Sequence, residues 1–161
     1  MMLAAAALLA AVPPCAAQEP GGPVATVHVP YVRDPVDKSY RKMIKGMDRF
    51  ERDRAYAPAA TLRFRLLPRL PNARMTGIAL RVAGDTVTLP VALAADNSFV
   101  LERHAQALRE DAAVVANRKS TSMTWRAWVE TPGLPPGTRR LGDLRLECRV
   151  GMDSGLISNT S

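Results

Sequence analysis

Cysteine and histidine are scarce in this chain, with two of each: Cys15 and Cys148, His28 and His104. They form no HxxxH or HExxH spacing and no cysteine pair, which argues against a disulfide framework and a dedicated zinc site. Aromatic residues make up 5% of the chain. That is too few for the stacking platforms of single-strand nucleic-acid binding, and it requires an aliphatic core. No GxSxG context surrounds Ser98, Ser120, Ser122, Ser154 or Ser158, and no glycine-rich phosphate loop is present. Asp85, Asp96 and Asp143 sit as separate turn residues, without the spacing of a calcium loop. A long apolar run is also missing: Leu3 to Val12 is ten residues, and a membrane span needs roughly 20.

That short run has its own meaning. Met1 to Ala17 carries no charge and passes through Pro13-Pro14 to Cys15-Ala16-Ala17, just before Gln18-Glu19-Pro20. An apolar segment followed by small residues predicts a secretory signal peptide over residues 1–17, and hence a periplasmic or secreted protein. Lipidation of Cys15 is the rival, although Val12-Pro13-Pro14 is a poor lipobox. Cleavage would leave Cys148 as the one thiol. It alternates with Leu144, Leu146 and Val150, so it reads as a buried residue on a strand. Intermolecular pairing, or a partner cysteine lost with a truncated tail over residues 153–161, are the other readings.

Charge is unevenly placed. Arg33 to Arg81 holds thirteen basic and five acidic residues, whereas the rest of the chain holds nine and ten. The whole net charge of +7 therefore arises in one third of the sequence. A one-sided positive field attracts polyanions: nucleic acid, anionic lipid headgroups or phosphorylated cell-envelope glycans. The composition also reflects arginine-rich usage, since arginines outnumber lysines 18 to 4.

Periodicity divides the remainder. Residues 18–33 read as a Pro/Gly-rich lead-in, with a short valine-bearing stretch from Ala25 to Tyr31 that Pro30 confines to an edge strand. Asp34 as N-cap, Pro35 at the first helical position and Asp37 in the first turn predict a helix over residues 34–57, ended by Pro58. Val36, Tyr40, Met43, Ile44, Met47 and Phe50 form its apolar stripe, and Gly46 weakens it by roughly 1 kcal/mol. From Thr61 the period becomes two. Leu62-Phe64-Leu66, Ile78-Leu80-Val82, Val87-Leu89-Val91-Leu93 and Met123-Trp125-Ala127-Val129 alternate with polar residues, and Leu144 to Val150 closes the series. Gly84-Asp85 and Asp96-Asn97 supply turns. Arg103 to Asp111 reads as a short helical turn or an irregular crossing. The expected fold is mainly β: an antiparallel sandwich over residues 61–152, Ig-like or transthyretin-like, preceded by one amphipathic helix.

The candidate contact residues are cations: Arg41, Lys42, Lys45 and Arg49 on the helix, Arg63 and Arg65 on the first strand, and Arg139-Arg140 after the stiff loop from Thr131 to Thr138. Cys148 is the candidate thiol. A hydrolase built from His104, Asp96 and a serine is the enzymatic alternative, and an assembly subunit linked through Cys148 or the helix stripe is the third.

Asp34 to Tyr40, Gly46 to Glu51, Asn117-Arg118-Lys119, Thr131 to Pro136 and Arg139 to Leu144 resemble segments of uncharacterised exported proteobacterial proteins. The resemblance implies export and carries no activity or cofactor. The Asp96-Asn97-Ser98-Phe99 turn is similar to those of carboxypeptidase-regulatory and transthyretin-like sandwiches, with Ser98 where a glycine is usual. Together these readings predict an exported, non-catalytic binding or accessory module of the cell envelope. It would need no cofactor and no nucleic acid, and its partner would be an envelope protein or anionic polymer.

Overall fold

Ser39, five residues beyond the expected cap, starts the first helix. In the computed structural model, which describes residues 35–157, α1 runs Tyr40–Arg52 and the Ser39 hydroxyl accepts from the Lys42 amide at 3.3 Å. The signal segment, the lead-in, His28 and Cys15 lie outside the described residues. Pro35–Ser39, expected as helix, is instead strand β1, paired with β6 (Ala113–Lys119). The competing force is the β6 ladder, and the Tyr40 amide adds a bond to the Ala112 carbonyl at 2.9 Å. The helical stripe keeps its burial, since Tyr40, Met43, Ile44 and Phe50 are all buried. α1 also ends early. Asp53 caps it and a 3-10 turn, Arg54–Tyr56, follows before Pro58 is reached.

The strands make two antiparallel sheets. One has the order β1-β6-β3-β4, with β3 at Leu80–Ala83 and β4 at Thr88–Val91. The other has the order β5-β2-β7, with β5 at Ser98–Phe99, β2 at Thr61–Pro68 and β7 at Met123–Glu130. Period-two patterning is clearest where β2 meets β7. Phe64 lies opposite Ala127 and Leu66 opposite Trp125, and all four are buried. Their neighbours Arg63, Arg65, Arg126 and Trp128 form the other face. Both sheets feed one core: Val82, Val114 and Ala116 from the first join Phe64, Phe99 and Val129 from the second. The ring pairs Phe64–Phe99 and Phe99–Trp125, each 5.8 Å between centroids, fill its centre. The Gly84-Asp85 turn joins β3 to β4 as expected, but Leu89 and Val91 are only half-buried because β4, with Pro90, is an edge.

The largest correction concerns the C-terminal segment. Leu144 to Val150, expected as a strand, belongs to helix α3, Leu141–Asp153. Leu146 and Val150 satisfy a helical spacing of four as well as a strand spacing of two, and with Asp143 and Gly151 they make the buried face. Leu144 is exposed, and so is Cys148, which was expected to be buried. The short α2, Ala105–Arg109, fills the ambiguous stretch. With about 28% helix and 30% strand among the described residues, the fold is mixed α/β rather than mainly β. No helix among the described residues is long and apolar enough to cross a membrane.

α3 can dock on α1 because Gly46 has no side chain. A Cβ there would lie 1.8 Å from the Ser154 hydroxyl oxygen and 3.0 Å from the Val150 carbonyl. At the other end of α3, a Cβ on Gly142 would fall 1.9 Å from the Tyr56 carbonyl oxygen. The glycine that weakens α1 as an isolated helix thus permits its principal tertiary contact. Gly46→Ala should gain roughly 1 kcal/mol of helix propensity and lose more through overpacking, for a net destabilisation of about 2 kcal/mol. Chemical denaturation checks this; a stabilised variant would contradict so close a crossing.

Candidate functional site

A turn with two short bonds opens one side of the molecule. Asp96 accepts from the Ser98 amide at 3.0 Å and from its hydroxyl at 2.6 Å, and Asn97 takes a left-handed φ of 59°. The chain pairs with β2 only at Phe64 and Arg65, then leaves the sheet at Val100. The buried Tyr40 hydroxyl fixes its path, donating to the Glu102 carbonyl at 2.6 Å and accepting from the His104 amide at 2.8 Å. Because β5 is so short, no described strand pairs with β2 on this side at Thr61 to Arg63.

Two adjoining clefts fill that opening. One, of about 520 Å³, lies against β4 and is lined by Val82, Leu89 and Val91 with Leu101, Arg63, Arg103 and His104. The other, of about 510 Å³, lies toward α1 and is lined by Met47, Phe50, Leu62 and Arg54. They share Val100, Leu101 and Arg103, and Val100 stands between them 52% exposed. The Arg63 Nε donates to the Ser98 hydroxyl at 2.8 Å, so its bond is to a neutral group. Arg103 pairs with Asp48 at 2.6 Å, with both side chains about half exposed, so that pair is weak. The clefts can hold an apolar chain and offer guanidinium groups to its anionic end.

The wall formed by β4 depends on Glu110. Its carboxylate accepts from the Thr86 hydroxyl and amide, from the Gln106 side chain and from the Val87 amide, clipping α2 to the β3–β4 turn. Those bonds, led by the two from Thr86, hold its pKa down at about 2, against 4.5 for an unperturbed glutamate. Asp96 is likewise held well below the usual carboxylate range by the Ser98 hydroxyl first and Arg65 next.

The predicted cations do not gather into one patch. Arg41 is engaged by Asp111 at 2.9 Å and by the Leu108 carbonyl. Arg49 bonds Asp153 at 2.9 Å and Asp53 at 3.4 Å, and Arg149 joins at Asp53, so these groups tie the ends of α1 and α3 together. Arg149 and Arg49 hold the Asp53 carboxyl below its ordinary value. Lys42 and Lys45 are exposed and make no ion pair with the described residues. Arg140 is exposed at the start of α3.

Lys42 and Lys45 share the outward side of α1 with Arg41 and Arg49, and the outer face of the β5-β2-β7 sheet collects a second group of the predicted residues. Arg65 and Arg139 lie over the Trp128 ring, at 4.5 and 4.3 Å from its centroid. Arg63 is directly opposite Trp128, and Arg126 directly opposite Arg65. Much of this charge is answered internally. Arg65 bonds Asp96, and Arg139 bonds Glu147 and the Val129 carbonyl. Arg139 is therefore not the open anion fork expected of it. Arg126 and Trp128 were missed as candidates, although β7 alternation already placed them outward.

The proposed hydrolase set is not assembled by hydrogen bonds. Asp96 and Ser98 bond each other and the arginines, while the His104 Nδ1 accepts from the Ala107 amide at 3.3 Å as the cap of α2. Among the described residues no group of three or more histidine, cysteine, aspartate or glutamate side chains could hold a metal ion. No family model, curated protein or solved structure matches the chain.

Acid should loosen the β4 wall first. The folded pKa of Glu110 lies below the unfolded one, so its bonds contribute fully above about pH 4.5 and the contribution drains as pH falls toward 2. Thermal melts from pH 6 to pH 2 should show Tm falling over that window, and Glu110→Gln should flatten the fall while lowering Tm at neutral pH. An unchanged pH profile in Glu110→Gln would remove Glu110 from this role.

Proposed function

We propose that this protein is an exported, non-catalytic binding or accessory module of the cell envelope whose ligand is an amphipathic anion. In this reading the two sheets are a sandwich of the Ig-like or transthyretin-like kind, and its open side is the working surface. The observation that carries the proposal is the cleft of about 520 Å³, aliphatic on its β4 side and bordered by Arg63, Arg103 and His104, with Glu102 as the one carboxylate among the described residues on its lining. Small-molecule sites fall at roughly 300–1,000 Å³ and combine an apolar lining with a few polar anchors. An acyl chain fits the lining, and a carboxylate or phosphate head fits the guanidinium groups. The outer sheet face, with Arg126 and Trp128 beside Arg63, continues the positive surface away from the cleft.

Dodecanoate is a direct probe. It should bind by calorimetry or tryptophan fluorescence, more tightly than dodecanol, and more weakly as salt rises. Arg63→Gln should weaken binding about ten- to hundredfold, in line with loss of one charge-assisted bond of about 1.5–3 kcal/mol. Equal affinity for the acid and the alcohol, or an Arg63→Gln variant that binds as well as the parent, would defeat the assignment.

A further inference from the structure

The solvent face of α3 is apolar, and we infer that it docks the protein onto an anionic lipid bilayer, with the helix lying in the headgroup layer. At 3.6 residues per turn, Leu141, Leu144, Arg145, Cys148 and Met152 fall within about 100° of arc. All five are exposed among the described residues, Leu141 at 61%, Leu144 at 44% and Met152 at 39%. The opposite side of the helix carries Leu146 and Val150, both fully buried. α3 is therefore apolar on two sides, and the described protein covers one of them. A helix that is apolar all round belongs in an interior, of a protein or of a membrane.

This ridge has two unlike flanks. On one, Ile157 folds back over Gly151, where a Cβ would lie 2.6 Å from the Ile157 Cδ1. With Leu144 and Leu156 it lines a cleft of about 370 Å³ beside β7. On the other flank, Tyr56 from the 3-10 turn joins Arg145, Arg149 and Met152 around a cleft of about 410 Å³. The Arg149 guanidinium sits 4.6 Å from the centroid of the Tyr56 ring. Tyr56 and Ile157 are each more than 40% exposed. Tyrosine and arginine, apolar along the stem and polar at the tip, suit the boundary between acyl chains and headgroups.

Charge selects the occupant. The three carboxylates of α3 are engaged inside the molecule: Asp143 is buried on Thr131, Glu147 bonds Arg139, and Asp153 bonds Arg49 at 2.9 Å. Arg140 and Arg145 are exposed beside the apolar stripe, and the Arg149 side chain stays 41% exposed while it pairs with Asp53. An apolar ridge edged by cations matches a surface of acyl chains under anionic headgroups. A second copy matches it poorly. In a two-fold antiparallel pairing through Cys148, Arg145 and Arg149 lie on one flank and would face the same residues of the other copy, like charge against like. A ridge between two clefts also suits fluid acyl chains, which fill both clefts at once. With 13 residues α3 is too short to span a bilayer, so it lies along the surface. The sheet order β5-β2-β7 puts α3 at one edge and the clefts beside Arg63 toward the other, so the docking surface and the candidate site are separate.

The test is co-sedimentation of the full chain with vesicles of phosphatidylglycerol and phosphatidylcholine in equal parts. Binding should be at least tenfold stronger than to phosphatidylcholine alone, and it should weaken as salt rises. Leu144→Asp with Met152→Asp should cut it at least tenfold while the thermal melt persists, since both positions are exposed. Arg145→Glu should cut it severalfold. A polarity-sensitive dye on Cys148, in a chain carrying Cys15→Ser, should shift to the blue at the vesicles. Arg63→Gln, which tests the cleft, should bind vesicles as the parent does. No binding to the mixed vesicles overturns the inference. So does a Cys148 dye that stays unshifted, or a Leu144→Asp, Met152→Asp variant that binds like the parent, because the contact then lies at Leu3 to Val12 or at the cleft. A lipid-free dimer on sizing that the same double variant dissociates gives the face to a second copy and overturns it as well.

Discussion

The crossing of α1 and α3 at Gly46 is the contact on which the rest of the architecture leans. With no Cβ between them, α3 settles so that Leu146 and Val150 reach the core and Asp143 is fully buried. Asp143 then accepts the amide and hydroxyl of Thr131, at 3.0 and 2.7 Å, anchoring the loop that leads into the helix. Glu147, one turn on, meets Arg139 and the backbone of Val129 and caps that end of the β7 edge. At the far end Arg49, Arg149, Asp53 and Asp153 close the pair of helices. A single side-chain atom at position 46 would press on Ser154 and the Val150 carbonyl at this crossing, and a packed interior transmits such strain.

Charge plays a different part from the one its totals suggest. A surplus of eight between Arg33 and Arg81 would make a uniform basic face if each cation stood alone. Instead Arg41, Arg49 and Arg65 meet Asp111, Asp153 and Asp96, all from distant parts of the chain. Carboxylates in the less basic remainder are drawn onto the basic third by the fold, so part of the field is used in holding elements together. The candidate site owes its place to topology: among the described residues a two-residue β5 leaves the start of β2 unpaired on one side, and Arg63 stands at the resulting opening.

Some of the fold is legible in the chain because one physical pattern had one meaning. Met123, Trp125, Ala127 and Val129 alternate with polar residues over a full strand, and no helix would keep that set on one face. The α1 stripe from Tyr40 to Phe50 is equally unambiguous. Elsewhere the pattern is shared. Leu146 and Val150 fit both periods, and the exposed Leu144 and Cys148 separate them only once the helix is seen. The first helix was expected to begin at Asp34 because Asp-Pro is a good start signal; the ladder to β6 prevailed over it. Of the candidate cations, Arg63 lies at the cleft and Arg65 and Arg139 flank Trp128, while Arg41 and Arg49 serve the helices. Sequence spacing cannot reveal ion pairs made across separations such as that of Arg49 and Asp153.

The amino-acid order alone determined the two-faced strands, the amphipathic first helix, and the turns at Gly84-Asp85 and Asp96-Asn97; the core, expected to be aliphatic, has the rings of Tyr40, Phe50, Phe64, Phe99 and Trp125 buried in it. The strands, helix and turns follow from local periodicity or from backbone preferences of single residues. Tertiary structure decided that the C-terminal segment is a helix, that Cys148 is exposed among the described residues, and that β5 stops after two residues to leave a cleft. Those outcomes depend on which surfaces meet, and a close approach such as Gly46 to Ser154 exists only when segments more than a hundred residues apart are brought together.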